Sequence, residues 1–248
     1  MSNRVALVTG GTGGIGTAVC KEFADKSCTV IATYYPPEEA QARQWQLDNQ
    51  RQGYEFIIMP VDVSDYAGAR QLVENIETLH RRIDILVNCA GITRDKTLKR
   101  MTREQWKEVI NTNLNSAFNI TQPVVNGMMD RGFGRIINIA SVNGQKGQFG
   151  QANYSAAKAG LHGFTMAVAR ETAAKGVTVN TVSPGYVSTP MTRAMRQDIL
   201  DRIISEVPVG RLAQPEEIAF TVSWLADERN AYTTGANIPV NGGMFMSA

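Results

Sequence analysis

Tyr154 and Lys158 lie four residues apart in Asn153-Tyr154-Ser155-Ala156-Ala157-Lys158-Ala159-Gly160, and Ser141 ends an apolar stretch thirteen positions before the tyrosine. A phenol can donate a proton, but its ordinary pKa of ~10 makes it a poor donor near neutrality. On a helix, positions i and i+4 share a face, which puts the Lys158 ammonium beside the Tyr154 ring. A unit charge about 4 Å away is worth ~4 kcal/mol at an effective dielectric of ~20. That would draw the phenol down to about pH 7, where proton transfer is most effective. The chemistry on offer is therefore acid–base catalysis. The alternative is a buried tyrosine and a solvated lysine on an ordinary helix, and the rest of the chain decides between them.

Short β-branched runs recur at Val5–Thr9, Thr29–Thr33, Phe56–Val61, Ile83–Asn88, Arg135–Ser141, Val177–Val182 and Asn237–Val240. Most are apolar at consecutive positions, as strands covered on both faces must be. Helix signals fall between them: Thr102-Arg103-Glu104-Gln105 reads as a capping box and Pro215-Glu216-Glu217 as a first turn. Strands alternating with helices imply an α/β, Rossmann-type doubly wound parallel sheet of about seven strands. No linker or repeat divides residues 1–248, so one dinucleotide-binding and catalytic domain is expected. In such a sheet ligands bind beyond the carboxyl ends of the strands, where Gly10–Gly16, Asp62, Asn88–Gly91, Ser141 and Pro184–Gly185 all fall.

The composition narrows the function. With 25 Lys+Arg against 23 Asp+Glu and no basic block, nothing supports nucleic-acid or anionic-membrane binding. Cys20, Cys28 and Cys89 have no metal-ligand spacing and read as reduced core residues. His80 and His162 have no ligand-spaced partners, so no metal site is expected, and His162 reads as packing. No uncharged apolar run reaches ~18 residues, and strand-like sequence begins at Arg4. These features predict a cytoplasmic protein.

Thr9-Gly10-Gly11-Thr12-Gly13-Gly14-Ile15-Gly16 joins the first strand to the first helix. Glycines allow a pyrophosphate close to the backbone, and the helix N-terminus supplies free N–H groups. Gly10, Thr12, Gly14, Ile15 and Gly16 are the expected contacts. The absence of Gly-Lys-Ser/Thr disfavours a triphosphate loop. Asp62-Val63 ends the third strand, where a carboxylate can accept an adenine amino proton; Ser64 offers a cap for the next helix. Asn88, Ala90 and Gly91 end the fourth strand with small residues for adenine and ribose. At the end of the second strand, Ala32-Thr33-Tyr34-Tyr35-Pro36-Pro37 has no acid before Glu38 to grip ribose hydroxyls. A 2′-phosphate is not repelled there, and Arg43 lies within reach to pair with it, so the cofactor expected is NADPH.

Thr9–Gly16, Asp62-Val63, Asn88–Gly91, Asn113, Ser141, Tyr154-xxx-Lys158 and Pro184-Gly185-xxx-Thr189 together resemble the short-chain dehydrogenase/reductase family, in order and over essentially the whole chain. The family pattern has Asn-Asn-Ala-Gly where this chain has Asn88-Cys89-Ala90-Gly91. The resemblance implies that Tyr154 is the general acid of a carbonyl reduction and that Ser141 hydrogen-bonds the carbonyl oxygen as it gains charge. It further implies that Lys158 lowers the tyrosine and holds the nicotinamide ribose, and that Asn113 holds a water relaying protons to Lys158. The Pro184–Thr189 segment, with Gly185, Val187 and Thr189, would meet the nicotinamide. The setting Asn111-Thr112-Asn113-Leu114-Asn115 is poor helix-interior material.

Val142–Gln151, with Leu161–Met166 following, is similar to the acetoacetyl-CoA reductases, and the 3-oxoacyl-[acyl-carrier-protein] reductases are close relatives. That resemblance implies that Asp95, Gln148, Phe149, Gln151 and Tyr186 line an acyl-thioester site. Lys96, Lys99, Arg100 and Arg103 would meet either CoA phosphates or an acidic acyl-carrier protein. A homotetramer is implied too, with Thr102–Arg131 and Gln151–Ala174 as its faces. A non-catalytic dinucleotide-binding regulator would have lost Ser141, Tyr154 or Lys158, and all three are present.

Overall fold

The computed structural model describes residues 1 and 3–246. Seven strands form one parallel sheet: β1 (Val5–Thr9), β2 (Thr29–Tyr34), β3 (Ile57–Pro60), β4 (Ile85–Asn88), β5 (Gly134–Ile139), β6 (Val177–Pro184) and β7 (Asn237–Val240). Their order is β3-β2-β1-β4-β5-β6-β7, so the chain reverses its direction of travel across the sheet between β1 and β4. That switch point opens a crevice at the carboxyl ends. All seven expected strands are present, with ends shifted by up to two residues. The most useful shift is at β5, which stops at Ile139 and leaves Ser141 to cap a short helix.

The helices are α1 (Gly14–Asp25), α2 (Glu39–Gln50), α3 (Tyr66–His80), α4 (Arg103–Ile110), α5 (Ser116–Asp130), α6 (Val142–Lys146), α7 (Ala152–Thr172), α8 (Pro190–Arg193), α9 (Gln197–Ser205) and α10 (Pro215–Ala226). Successive residues of β1 feed opposite layers, as strand geometry requires. Ala6 and Val8 pack with α1 and α10 through Val19, Phe23, Ile218 and Val222. Val5 and Leu7 pack with α3 and α5 through Leu72, Ile76, Ile120 and Val124. With β1, β4 and β5 buried along their lengths, the sheet is a rigid platform for the loops at its rim.

The expected capping box forms: Gln105 N donates to Thr102 Oγ1 at 3.2 Å and Thr102 N to Gln105 Oε1 at 3.1 Å. The cap of α3 falls on Asp65 rather than Ser64, because the Ser64 hydroxyl is turned to Asp62 at 2.7 Å. Asn111–Asn115 resolves its poor helix propensity as a π-helical turn between α4 and α5. Such turns recur at functional sites. Among the described residues no helix is long and apolar enough to cross a membrane, and no group of three His, Cys, Asp or Glu side chains is placed to hold a metal ion.

Candidate active site

The strand register aligns Thr9 with Asn88, Asn88 with Asn138, and Asn138 with Thr181, so the segments that follow share one rim. Two threonines tie them. Thr9 Oγ1 accepts from Cys89 N at 3.0 Å and Ala90 N at 3.2 Å, and Thr33 Oγ1 accepts from Gly10 N at 3.3 Å. On sequence alone Thr9 has no role beyond opening the glycine loop, and Thr33 has none; their only signal is a β-branched hydroxyl near each strand end. Within the glycine loop, a Cβ on Gly16 would collide with the Gly10 carbonyl oxygen, and one on Gly14 would lie 2.7 Å from Thr189 Cγ2. The first turn of α1 therefore abuts the exit of β6, where Thr189 also caps α8. No side chain caps the N-terminus of α1 at Gly13. Its first-turn N–H groups, flanked by Thr12 and Ile15, form a backbone cradle suited to a pyrophosphate. The residues present fit a bound dinucleotide.

At the neighbouring strand ends, Asp62 Oδ1 accepts from Ser64 N at 2.9 Å, and the Val63 carbonyl accepts from Asn119 Nδ2 at 3.0 Å. Ala90 and Gly91 follow β4 at the rim. Asn88 does not: its buried side chain donates to Thr121 Oγ1 at 3.1 Å and Asn138 Oδ1 at 2.8 Å. Asn138 in turn donates to Thr165 Oγ1 of α7 at 2.8 Å. Asn88 thus ties the sheet to the helix carrying Tyr154 and leaves only its main chain for a ligand.

Ser141, Tyr154 and Lys158 come together where β5 meets α6 and α7. The Ser141 Oγ accepts from Asn143 N at 3.1 Å, and Ser141 acts to lower the Tyr154 phenol. Lys158 is buried, and its Nζ donates to the Ile139 carbonyl at 2.7 Å. It lies 5.7 Å from the Tyr154 ring centroid. Asn113, buried on the π-helical turn, clamps the main chain of Ile92: its Oδ1 accepts at 2.8 Å and its Nδ2 donates at 2.9 Å. A Cβ on Gly91 would stand 3.5 Å from both Asn113 Oδ1 and Lys158 Nζ.

The electrostatics correct one expectation. Burial pushes the Tyr154 phenol up to about 12, against the opposing Ser141 hydrogen bond and with Asp95, Cys89 and Tyr186 adding to the rise. Burial pulls Lys158 down to about 8, with Cys89 acting in the other direction. One ammonium N–H of Lys158 goes to the Ile139 carbonyl, and the phenol is not brought towards neutrality. Of the two groups, the amine is the one displaced towards neutrality, to about 8.

Facing this cluster is the Val142–Gln151 segment. Gly144 sits on α7, where a Cβ would fall 2.8 Å from the Lys158 carbonyl carbon and 2.9 Å from Ala159 N. Asn143 Nδ2 donates to Gln151 Oε1 at 2.9 Å, and Gln151 Nε2 donates to Asp95 Oδ2 at 2.8 Å. Burial raises the half-buried Tyr186 phenol, with Asn143 acting to lower it. Asn143, a residue not singled out from the sequence, thus links Gln151 and through it Asp95. Gln148 and Phe149 are exposed at the loop tip, Phe149 at 86%.

A model of the short chain dehydrogenase family matches residues 4–200. The chain belongs to the short-chain dehydrogenase/reductase family. It is 58% identical to the acetoacetyl-CoA reductase of Allochromatium vinosum over 98% of this chain and 99% of that protein. To the acetoacetyl-CoA reductase of Cupriavidus necator it is 51% identical over 99% of this chain and 100% of the other. The 3-oxoacyl-[acyl-carrier-protein] reductase of Escherichia coli is 45% identical over 98% of each. This short-chain dehydrogenase/reductase is an oxidoreductase with a nicotinamide dinucleotide cofactor.

Arg43, His162 and Cys89 have distinct surroundings. Arg43 is exposed and already bonded to Glu39, at 2.9 Å through Nε and more tightly through Nη2, an i,i+4 pair that competes with any phosphate. His162 is half-buried, and burial lowers it; neither ring nitrogen has a partner among the described residues. Cys89, the departure from the family pattern, is held through its main-chain N–H to Thr9, and burial raises its thiol to about 11.

Proposed function

We propose that the protein reduces acetoacetyl-CoA, or a similar short 3-oxoacyl-CoA, to the (R)-3-hydroxyacyl thioester with NADPH. The observation that carries this reading is the buried Lys158, its Nζ on the Ile139 carbonyl at 2.7 Å and 5.7 Å from the Tyr154 ring centroid, where Ser141 ends the β5 exit, bordered by a loop in which Gln151 bonds Asp95. The names of the relatives support the substrate class. The bound dinucleotide supplies the hydride that adds to the C3 carbonyl carbon. Tyr154 gives its phenolic proton to the carbonyl oxygen, which becomes the product hydroxyl. Ser141 donates a hydrogen bond to that oxygen as charge develops. Lys158 holds the nicotinamide ribose and returns a proton to the phenolate, while Asn113 steadies the Gly91–Ile92 turn and the water relay beside it.

The absence of an acid at the end of β2 supports NADPH, with Arg43 exchanging Glu39 for the 2′-phosphate. Asp62, Val63, Ala90 and Gly91 take adenine and ribose; Pro184, Gly185, Val187 and Thr189 take the nicotinamide. A cytoplasmic homotetramer fits the large apolar side chains left exposed on its helices: Trp106 and Phe118 on α4 and α5, Met166 on α7, and Phe220 and Trp224 on α10.

A second reading, delivery of the substrate on an acyl-carrier protein, is favoured by one feature. Lys96, Lys99, Arg100 and Arg103 are all exposed at the turn leading into α4, where an acidic helix would dock. Steady-state kinetics with acetoacetyl-CoA and acetoacetyl-carrier protein, each with NADPH and NADH, tests both readings. The expected result is a higher kcat/KM for the CoA thioester with NADPH. A clear preference for the carrier protein would replace the first reading with the second.

A further inference from the structure

Asn153 is the second residue of α7, directly before Tyr154, and its side chain is fully buried. Its amide has three partners, all of them main-chain groups of fixed polarity. Oδ1 accepts from Tyr154 N at 2.8 Å, while Nδ2 donates to the Gln105 carbonyl at 3.1 Å and the Arg94 carbonyl at 3.3 Å. Turned over, the amide would set its oxygen against two carbonyls, so the orientation is imposed. The partners belong to three segments. Tyr154 N is a free donor in the first turn of a helix that no side chain caps at Gln151. Gln105 lies on α4, which runs into the π-helical turn holding Asn113. Arg94 lies on the loop after β4, and its side chain pairs with Glu108 of α4 at 2.8 Å. Loop and α4 are thus joined to each other, and one buried amide joins both to the helix that carries the acid. Asn113 holds the same loop two residues earlier, at Ile92.

We propose that Asn153 is a positioning residue for proton transfer, fixing the main chain of Tyr154 against the β4–α4 loop and α4 so that the phenol meets the carbonyl oxygen. Asn153 touches neither substrate nor cofactor and acts through the Tyr154 main chain. Removing its amide leaves three main-chain groups without their partner at once, and the first turn of α7 must shift to satisfy them. A misplacement of about 1 Å at a reacting group costs about 10²-fold in rate. The inference rests on Tyr154 as the acid, which Tyr154→Phe checks separately. Turnover retained in Tyr154→Phe removes the acid itself; turnover lost there but normal in Asn153→Ala removes only the positioning role.

Asn153→Ala removes all three bonds. Well below the Tm of the variant, kcat for acetoacetyl-CoA should fall about 10²-fold, with KM and NADPH Kd within about three-fold of wild type. Wild-type kcat with a lowered Tm would reduce Asn153 to a structural brace and overturn the proposal. So would a loss confined to KM or to NADPH Kd. Asn153→Asp supplies the decisive measurement should the alanine variant not fold. Its carboxylate keeps the bond from Tyr154 N but turns a second oxygen to the Gln105 and Arg94 carbonyls. Burial raises the pKa of such a group, and once protonated it can donate to one of those carbonyls. The ratio of its kcat to that of wild type should therefore climb several-fold from about pH 8 to about pH 6, while the ratio for Asn153→Ala stays level. An aspartate ratio that does not change with pH would overturn the proposal.

Discussion

The buried Lys158 should make the protein less stable than it would be without the charge. Its pKa falls from 10.5 to about 8, and at ~1.36 kcal/mol per pKa unit the charged amine costs the folded state about 3 kcal/mol at pH 7. Replacing it by methionine, of similar length, removes that cost and forfeits the 2.7 Å hydrogen bond to the Ile139 carbonyl, worth about 1 kcal/mol. Lys158→Met should therefore be more stable at pH 7 by about 2 kcal/mol, a Tm gain of roughly 4–8 °C for a chain of this size. The sign can be checked through pH. Between about pH 8 and 10.5 the unfolded chain holds a proton that the folded one has released, so wild-type stability rises with pH there. The cost of the charge is fully present below about 8 and is relieved by about 2 kcal/mol between pH 7 and 9.5. Scanning calorimetry of both proteins at matched concentration across that range should show the variant's advantage shrinking to nearly nothing. A variant less stable at pH 7, or a Tm difference constant from pH 7 to 9.5, would refute the reasoning. Reductase activity should fall by at least ~10² in the same variant.

Tyr154→Phe removes the proton donor but leaves the glycine loop alone; kcat/KM should drop by about 10³ with NADPH Kd unchanged, and near-normal turnover would remove Tyr154 from the acid role. Gly144→Ala places a methyl 2.8 Å from the Lys158 carbonyl carbon, so α6 must lift off α7. A loss of about 1–3 kcal/mol in denaturant unfolding and a lower kcat should appear together; a silent substitution would show that the contact is slack. Glu39→Gln frees Arg43 from its ion pair. Because such an exposed, solvent-screened pair is weak, NADPH should bind only about two-fold tighter by fluorescence titration, with NADH unchanged.

The strands were legible because double-sided burial leaves consecutive apolar residues, and the catalytic pair because i and i+4 must share a helix face. The strength of the tyrosine as an acid was not legible. It depends on how deep Tyr154 sits and on the Ile139 carbonyl nineteen residues before Lys158, and neither is local. Glu39–Arg43 was within reach of the same i,i+4 rule that drew attention to Tyr154, but the phosphate reading obscured it. Asn143 carried only a faint signal, an asparagine two residues after the strand-end serine. Its importance lies in its bond to Gln151, which carries on to Asp95 in a distant segment.

The inverted pKa order also suggests how the site resets. Tyr154 holds its proton more tightly than a free phenol, with a value of about 12, while Lys158 releases its own near 8. Once the phenol has given its proton to substrate, transfer from the Lys158 ammonium to the phenolate runs downhill. The phenolate need not wait for a proton from bulk water. The amine, at about 8, is the group placed to take up the next proton. A tyrosine tuned to neutrality by its neighbour would transfer its proton more readily but be restored with less driving force. Burial of both groups instead places the reservoir next to the donor, with the downhill direction pointing towards the ring.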